Sequence, residues 1–174
     1  MDAVVLRMIG ASEEEVLAQA RSIIGACRAH SAPLIISHAL SVAMEIGADG
    51  VHLGNADAPI REVRALVGDA MLIGYSAHSI EEALSAQEQG ADYILLGHVF
   101  ETPSHAGKPP LGLAEVSRAV AALRIPVVCI GGIDLSTIAQ LKAAGGRRIA
   151  AIRALNAGDD LTAQARALKE ALLK

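Results

Sequence analysis

Residues 47–54 read Gly-Ala-Asp-Gly-Val-His-Leu-Gly, and residues 90–97 repeat this pattern as Gly-Ala-Asp-Tyr-Ile-Leu-Leu-Gly. In both stretches a glycine that can end a helix in the left-handed conformation precedes a short apolar run. The pair Gly145-Gly146 holds the same place before the last apolar run. The pattern therefore predicts a repeated unit in which a helix ends at glycine and a buried strand follows.

Short apolar runs alternate with Ala- and Leu-rich stretches of helical period along the chain. Such nearly continuous runs are typical of parallel strands buried on both faces. Ser12 followed by Glu15 predicts a capping box at the start of the first helix. Seven such units favour a TIM-type barrel over a doubly wound sheet, because no Gly-x-Gly-x-x-Gly turn follows a strand. The predicted strands cover residues 3–7, 34–37, 50–53, 71–75, 93–96, 127–130 and 149–152.

The number of units falls one short of a complete barrel. A TIM barrel has eight units and typically about 250 residues, whereas this chain has 174 residues. We therefore expect one domain over residues 1–174, a TIM-type (βα) barrel that lacks its first βα unit. Because an open barrel exposes strand edges, which proteins usually cover, we also expect a homodimer.

Composition excludes several classes of protein. Hydrophobic residues make up 52% of the chain, but the longest apolar runs of five or six residues are far below the ~20 residues of a membrane span. The net charge is -4, with Trp 0, Tyr 2 and Phe 1, so neither a basic patch nor a stacking surface for nucleic acid is expected. No signal peptide is visible, which favours the cytoplasm.

Titratable side chains follow the predicted strands at their carboxyl ends, where TIM barrels carry their active sites. Arg7 closes the first strand, as a clamp for carboxylate or phosphate or as a solvated side chain. His98 ends the fifth strand, where an imidazole either transfers protons near neutral pH or caps the loop. Asp57 follows the third strand, but one carboxylate alone is a poor Mg²⁺ site. Further histidines on this predicted face are His38, His78 and His105.

A glycine pair follows the sixth predicted strand. Gly131 and Gly132 stand between this strand and the next helix. Glycines let the backbone approach an anion, and a helix start supplies N–H groups. The pair predicts either a phosphate-binding turn or a tight turn without a ligand.

Five short motifs lie at residues 50–54, 76–79, 90–93, 109–112 and 125–133. Together they resemble the thiamine phosphate synthase superfamily, and the resemblance covers the chain from Ala3 onward. Two branches share these motifs, the synthase and a thiazole tautomerase. Residues 97–102, Gly-His-Val-Phe-Glu-Thr, are similar to the tautomerase branch, whereas the synthase branch usually has Pro in place of His98.

The resemblance implies an isomerase, a thiazole tautomerase of thiamine biosynthesis that aromatises a thiazole carboxylate phosphate. His98 would be the catalytic residue that moves the proton, and neither a metal nor another cofactor is implied. The partner would be a small phosphorylated thiazole. The residues implied to bind substrate or phosphate are Arg7, Ser37, Ser76, Thr102, Gly131, Gly132, Ala154 and Leu155.

Two alternatives stay open. One is a thiamine phosphate synthase, which joins a thiazole phosphate to a pyrimidine pyrophosphate. The resemblance places one of its two acidic Mg²⁺ ligands at Asp57, but His38 stands at the other position and His105 at that of a lid lysine. The other alternative is a non-catalytic barrel that binds a thiazole or thiamine phosphate. Because the second carboxylate is absent, the sequence favours the tautomerase.

Overall fold

The computed structural model describes residues 2–155 and 160–173. Within these residues seven strands alternate with seven helices, which confirms the predicted TIM-type α/β fold with seven βα units. The strands are β1 (Val4–Leu6), β2 (Leu34–Ser37), β3 (Gly50–Leu53), β4 (Leu72–Ala77), β5 (Tyr93–Gly97), β6 (Val127–Ile130) and β7 (Ile149–Ala150). The helices are α1 (Glu13–Ala29), α2 (Leu40–Ile46), α3 (Ile60–Val67), α4 (Ile80–Glu88), α5 (Gly112–Ala122), α6 (Ile138–Ala143) and α7 (Leu161–Leu173).

The first and last strands are shorter than predicted. β1 has three residues and β7 has two, because each has one neighbouring strand among the described residues and its pairing ends early. Arg7 consequently lies one residue beyond β1. Ile152, predicted to end the last strand, is 62% exposed.

The described residues fall into two compact units. The first comprises the residues up to Tyr75 together with Gln89–Asp92. Its strands run parallel in the order β1-β2-β3-β4, and register places Ile36 beside Val51 and Val51 beside Ile73. These three side chains are fully buried. Strands buried on both faces explain why the sequence shows continuous apolar runs.

The second unit comprises Ser76–Glu88 and the described residues from Tyr93 onward. Its strands β5, β6 and β7 are also parallel, with Leu96 beside Cys129. Both side chains are fully buried, as are Val116 of α5 and Leu141 of α6. This apolar core fixes the carboxyl ends of β5 and β6, where the candidate residues of this unit stand.

The Gly-Ala-Asp repeat has a structural explanation in the first unit. Gly47 ends α2 in the left-handed conformation, as predicted. The Asp49 carboxylate accepts the backbone N–H of Leu34 at 2.8 Å, and the Asp92 carboxylate accepts that of Ile73 at 2.7 Å. Each aspartate therefore fixes the start of a neighbouring strand, and Asp92 also pairs with Arg64.

The predicted capping box of α1 is confirmed. The Glu15 backbone N–H donates to the Ser12 hydroxyl, and the Glu15 carboxylate accepts the Ser12 backbone N–H at 2.8 Å. These hydrogen bonds satisfy two donors that the first helical turn leaves unpaired.

Across residues 2–155 and 160–173, no helix has both the length and the apolarity needed to cross a membrane. The single domain, the homodimer and the cytoplasmic location stay predictions.

Candidate functional site

In the first unit, candidate side chains stand just beyond β1 and at the carboxyl ends of β2 and β3. Arg7 is exposed. Ser37 ends β2 and is 6% exposed, and its hydroxyl has no hydrogen-bond partner among the described residues. The parallel register places Ser37 beside His52 of β3. Because a buried hydroxyl without a partner is unfavourable, Ser37 marks a position that a polar atom of a ligand would stabilise.

His38 and Asp57 form a pair beyond the ends of β2 and β3. The imidazole Nδ1 lies 2.7 Å from Asp57 Oδ2, and the same oxygen accepts the Gly54 backbone N–H at 2.6 Å. Since a carboxylate is an acceptor, Nδ1 carries the hydrogen. No hydrogen bond to the other ring nitrogen, Nε2, is found among the described residues, and the side chain is 47% exposed. The carboxylate thus orients an imidazole that is open to a ligand.

His52 is buried within β3 beside this pair. Burial lowers its pKa to about 4; His38 and Arg7 act in the same direction, and Asp57 opposes them. The imidazole is therefore neutral near pH 7. A buried, neutral imidazole within a strand fits a structural role, and Arg7, His38 and Asp57 all lie within electrostatic range of it.

The first unit does not fit the divalent cation that the resemblance implies for a synthase. Among residues 2–155 and 160–173, no group of three or more His, Cys, Asp or Glu side chains is suited to hold a metal. Asp57 Oδ2 already accepts two N–H groups. His38 stands where the second carboxylate would be, and its N–H points at Asp57 Oδ2, so the positive end of that bond repels a cation.

In the second unit, Ser76 is half-buried near the end of β4. His78 follows this strand and contacts the next one, with Nδ1 2.6 Å from the carbonyl oxygen of Gly97. Its backbone N–H donates to Glu82 of α4. These contacts give His78 a structural role in joining the end of β5 to the start of α4.

His98 lies beneath the loop that follows β5. It is 7% exposed, and its ring stacks on His105 with 4.5 Å between ring centroids and 15° between planes. Nε2 lies 3.3 Å from the carbonyl oxygen of Lys108, and the His98 carbonyl accepts the Leu111 N–H at 2.9 Å. Its stacking on His105 and its hydrogen bond to the loop give His98 a structural role that requires no proton transfer.

Gly131 and Gly132 follow β6 with positive φ of 94° and 66°. A Cβ on Gly131 would lie 2.3 Å from the Cβ of His98, and one on Gly132 would lie 2.5 Å from the carbonyl oxygen of Glu101. The two glycines therefore let the segment after β5 pack directly on the end of β6. This close approach is a structural reason for the pair, and a role in binding phosphate stays a prediction.

Thr102 and Arg153 meet in the same unit. Thr102 is 8% exposed, and its hydroxyl accepts a hydrogen bond from the Arg153 guanidinium. Ala154 and Leu155 follow Arg153 in a half-buried turn. The structure thus brings Arg153 to a predicted binding residue, a contact that the sequence did not predict.

The sequence predicts His38 and Asp57 on the same face, but it does not predict that they pair. The signal was present in the sequence, because each residue follows a strand and these strands are neighbours. What the sequence lacked was the direction of the His38 side chain, which depends on the positive φ of this residue, 68°.

A family model described as thiamine monophosphate synthase matches residues 1–155. A protein named thiamine-phosphate synthase from Chlorobium luteolum is 42% identical over 164 residues, which cover 94% of this chain and 77% of that protein. Another of the same name, from Synechococcus sp., is 41% identical over 156 residues, covering 90% of this chain and 44% of that protein. The chain thus spans less than half of the Synechococcus protein.

A solved structure supports the same relationship. The thiamine phosphate pyrophosphorylase from Pyrococcus furiosus superposes with a TM-score of 0.89 and is 30% identical. The match covers 99% of this chain and 83% of the Pyrococcus chain.

These comparisons overturn the tautomerase prediction. The relatives at about 40% identity are named as synthases, which are transferases, and not as isomerases. The prediction was wrong because it relied on the segment 97–102 with its His98. In the structure that histidine is covered by the following loop and hydrogen-bonded to it, so packing explains the motif.

Proposed function

The chain belongs to the thiamine monophosphate synthase family, and we propose that it catalyses the formation of thiamine phosphate from a thiazole phosphate and a pyrimidine pyrophosphate. The observation that carries the proposal is the 42% identity to the Chlorobium protein over 77% of that protein's length. At this identity and coverage, the shared part includes most of a chain that bears the synthase name.

The reaction makes two demands on the protein. The carbon–oxygen bond to the diphosphate breaks, and its electron pair leaves with pyrophosphate; the thiazole nitrogen then supplies the pair for the new carbon–nitrogen bond. The leaving group therefore needs hydrogen-bond donors or positive charge, and the thiazole phosphate needs a second anion site. Preorganised donors of this kind lower the barrier because charge develops on the leaving oxygen.

The first unit offers donors for an anion. Arg7 carries a permanent positive charge beyond β1, and the buried Ser37 hydroxyl lacks a partner among the described residues. His38 is oriented by Asp57 with its side chain half-exposed. We assign these three side chains to the diphosphate.

The second unit offers a separate anion site. Gly131 and Gly132 follow β6 with positive φ angles, and both are half-buried. Thr102, whose hydroxyl is held by Arg153, retains an O–H that is able to donate. We assign these residues, with Ser76, Ala154 and Leu155, to the thiazole phosphate. His98 keeps the loop after β5 in place.

The test is a reaction of the purified chain with both substrates. Thiamine phosphate is oxidised to its fluorescent thiochrome derivative and quantified, and the Chlorobium relative serves as the positive control. We expect product only when both substrates are present. No product above the buffer level, under conditions in which the relative is active, would contradict the proposal; retention of thiazole phosphate without turnover would then favour the non-catalytic barrel.

A further inference from the structure

At the carboxyl ends of β2 and β3, the first unit contains a preformed polar site centred on Asp57. Asp57 Oδ2 accepts two N–H groups, from Gly54 at 2.6 Å and from His38 at 2.7 Å. The carboxylate is 15% exposed. Asp57 is thus a largely buried carboxylate, and two N–H groups of the protein stabilise its negative charge.

The backbone is shaped for this contact. His38 has a φ of 68°, in the left-handed region that few residues other than glycine adopt. A Cβ on Gly54 would lie 3.3 Å from Cε1 of His38, so the absence of a side chain at residue 54 leaves room for the ring. Both features hold the imidazole against Asp57.

A second observation points to a ligand beside this pair. The Ser37 hydroxyl, next to His38 in the chain, is buried without a hydrogen-bond partner among the described residues. Arg7 is close enough to act on His52, which neighbours Ser37 across the strands. A hydroxyl without a partner, a guanidinium and an imidazole protonated on both nitrogens are donors for an anionic oxygen.

We propose that the His38 N–H neutralises Asp57 where the resemblance implies a divalent cation, so that the first unit binds a diphosphate oxygen directly, without a metal bridge. The oxygen accepts hydrogen bonds from the Ser37 hydroxyl and from Nε2–H of a His38 ring that carries hydrogen on both nitrogens. The assignment of diphosphate as the ligand rests on the proposed function. The identity of residue 38 then decides whether this end of β2 and β3 holds a cation.

The geometry allows a sharp test of this choice. Nδ1 of histidine, Oδ of aspartate and Nδ2 of asparagine are all two bonds from Cβ. His38→Asp therefore places a carboxylate oxygen near the present Nδ1 position, about 2.7 Å from Asp57 Oδ2. Two oxygens at that separation are both able to contact a cation at about 2.0–2.6 Å. His38→Asn is the matched control, because its amide N–H retains the bond to Asp57.

The first experiment measures Mn²⁺ binding by electron paramagnetic resonance, after removal of metals with a chelator. We expect no site of useful affinity in the wild type or in His38→Asn, and a gain of about 10–100-fold in His38→Asp. Equal gains in His38→Asn and His38→Asp would overturn the proposal, as would wild-type binding that Asp57→Asn abolishes. The comparison of wild type with Asp57→Asn decides the question even if His38→Asp fails to fold.

The second experiment measures inorganic pyrophosphate binding by calorimetry in the presence of EDTA. We expect the wild type to bind without metal, and His38→Asn to bind about 10–100-fold more weakly because Nε2 is lost. Equal affinities, or binding that requires Mg²⁺, would overturn the proposal. Neither experiment depends on turnover, so failure of the proposed synthase activity is seen separately.

Discussion

The two Gly-Ala-Asp aspartates are predicted to stabilise the first unit by fixing the starts of neighbouring strands. In Asp92→Ala, the backbone N–H of the fully buried Ile73 loses its acceptor. A buried donor without a partner costs about 1–3 kcal/mol. The lost ion pair with Arg64, whose side chain is 21% exposed beside an Asp92 side chain 38% exposed, adds about 0–1 kcal/mol after solvent screening. Together these contributions predict a loss of about 1–4 kcal/mol.

Arg64 loses its ion pair in this variant but keeps other hydrogen-bond partners. It still donates to the carbonyl oxygens of Gly68 at 2.7 Å, Met71 at 3.0 Å and Gly90 at 2.9 Å. The destabilisation is therefore expected to come mainly from the strand and not from the guanidinium.

The assay is urea unfolding followed by circular dichroism at pH 7. Asp49→Ala is the matched control, because it removes the equivalent bond to Leu34 without an ion pair; we expect a loss of about 1–3 kcal/mol. Asp92→Asn keeps an acceptor for Ile73 and should lose less than Asp92→Ala. The reasoning is refuted if both alanine variants stay within about 0.5 kcal/mol of the wild type, the range of ordinary surface substitutions.

Three further predictions concern individual positions. Gly132→Ala should lower the melting temperature more than Gly107→Ala, since both have positive φ but only the Gly132 side chain would contact Glu101, at 2.5 Å; equal shifts in calorimetry would contradict this. Because the pKa of His52 falls to about 4 in the folded state, the unfolded chain binds more protons below about pH 6.5, and stability should fall between pH 6.5 and 4 by up to about 3 kcal/mol. Urea midpoints across this range should therefore vary less in His52→Gln, and an unchanged pH profile in that variant would refute the assignment. Ser12→Ala should cost about 1 kcal/mol in urea unfolding through loss of the capping box, and no change would show that the first turn is satisfied by water.

Local signals were sufficient for much of the fold. Gly47 was predicted as a helix end because glycine readily adopts the left-handed conformation, and it ends α2 in that conformation. The capping box was predictable because Ser12 and Glu15 are only three residues apart. Buried parallel strands leave continuous apolar runs, so β2, β3 and β6 were located to the residue. The edge strands β1 and β7 are shorter than predicted, because their length depends on pairing with a neighbouring strand. The sequence alone does not show where that pairing ends.

The candidate site was harder to predict from the sequence, because its contacts join residues that are distant along the chain. The pairing of His38 with Asp57 spans 19 residues, and that of Arg153 with Thr102 spans 51. Neither leaves a periodic pattern. His98 was given a chemical role from its motif, whereas the ring lies under the loop that follows it. A motif indicates relatedness, but burial and contacts decide what its side chains are able to do.

The most direct test of the proposed function is the stoichiometry of the reaction, followed by phosphorus nuclear magnetic resonance with the purified chain, the thiazole phosphate and the pyrimidine pyrophosphate. We predict that thiamine phosphate and inorganic pyrophosphate accumulate in equal amounts while both substrates disappear together. Unchanged substrate resonances, or hydrolysis of the pyrimidine pyrophosphate without consumption of the thiazole phosphate, would contradict the account.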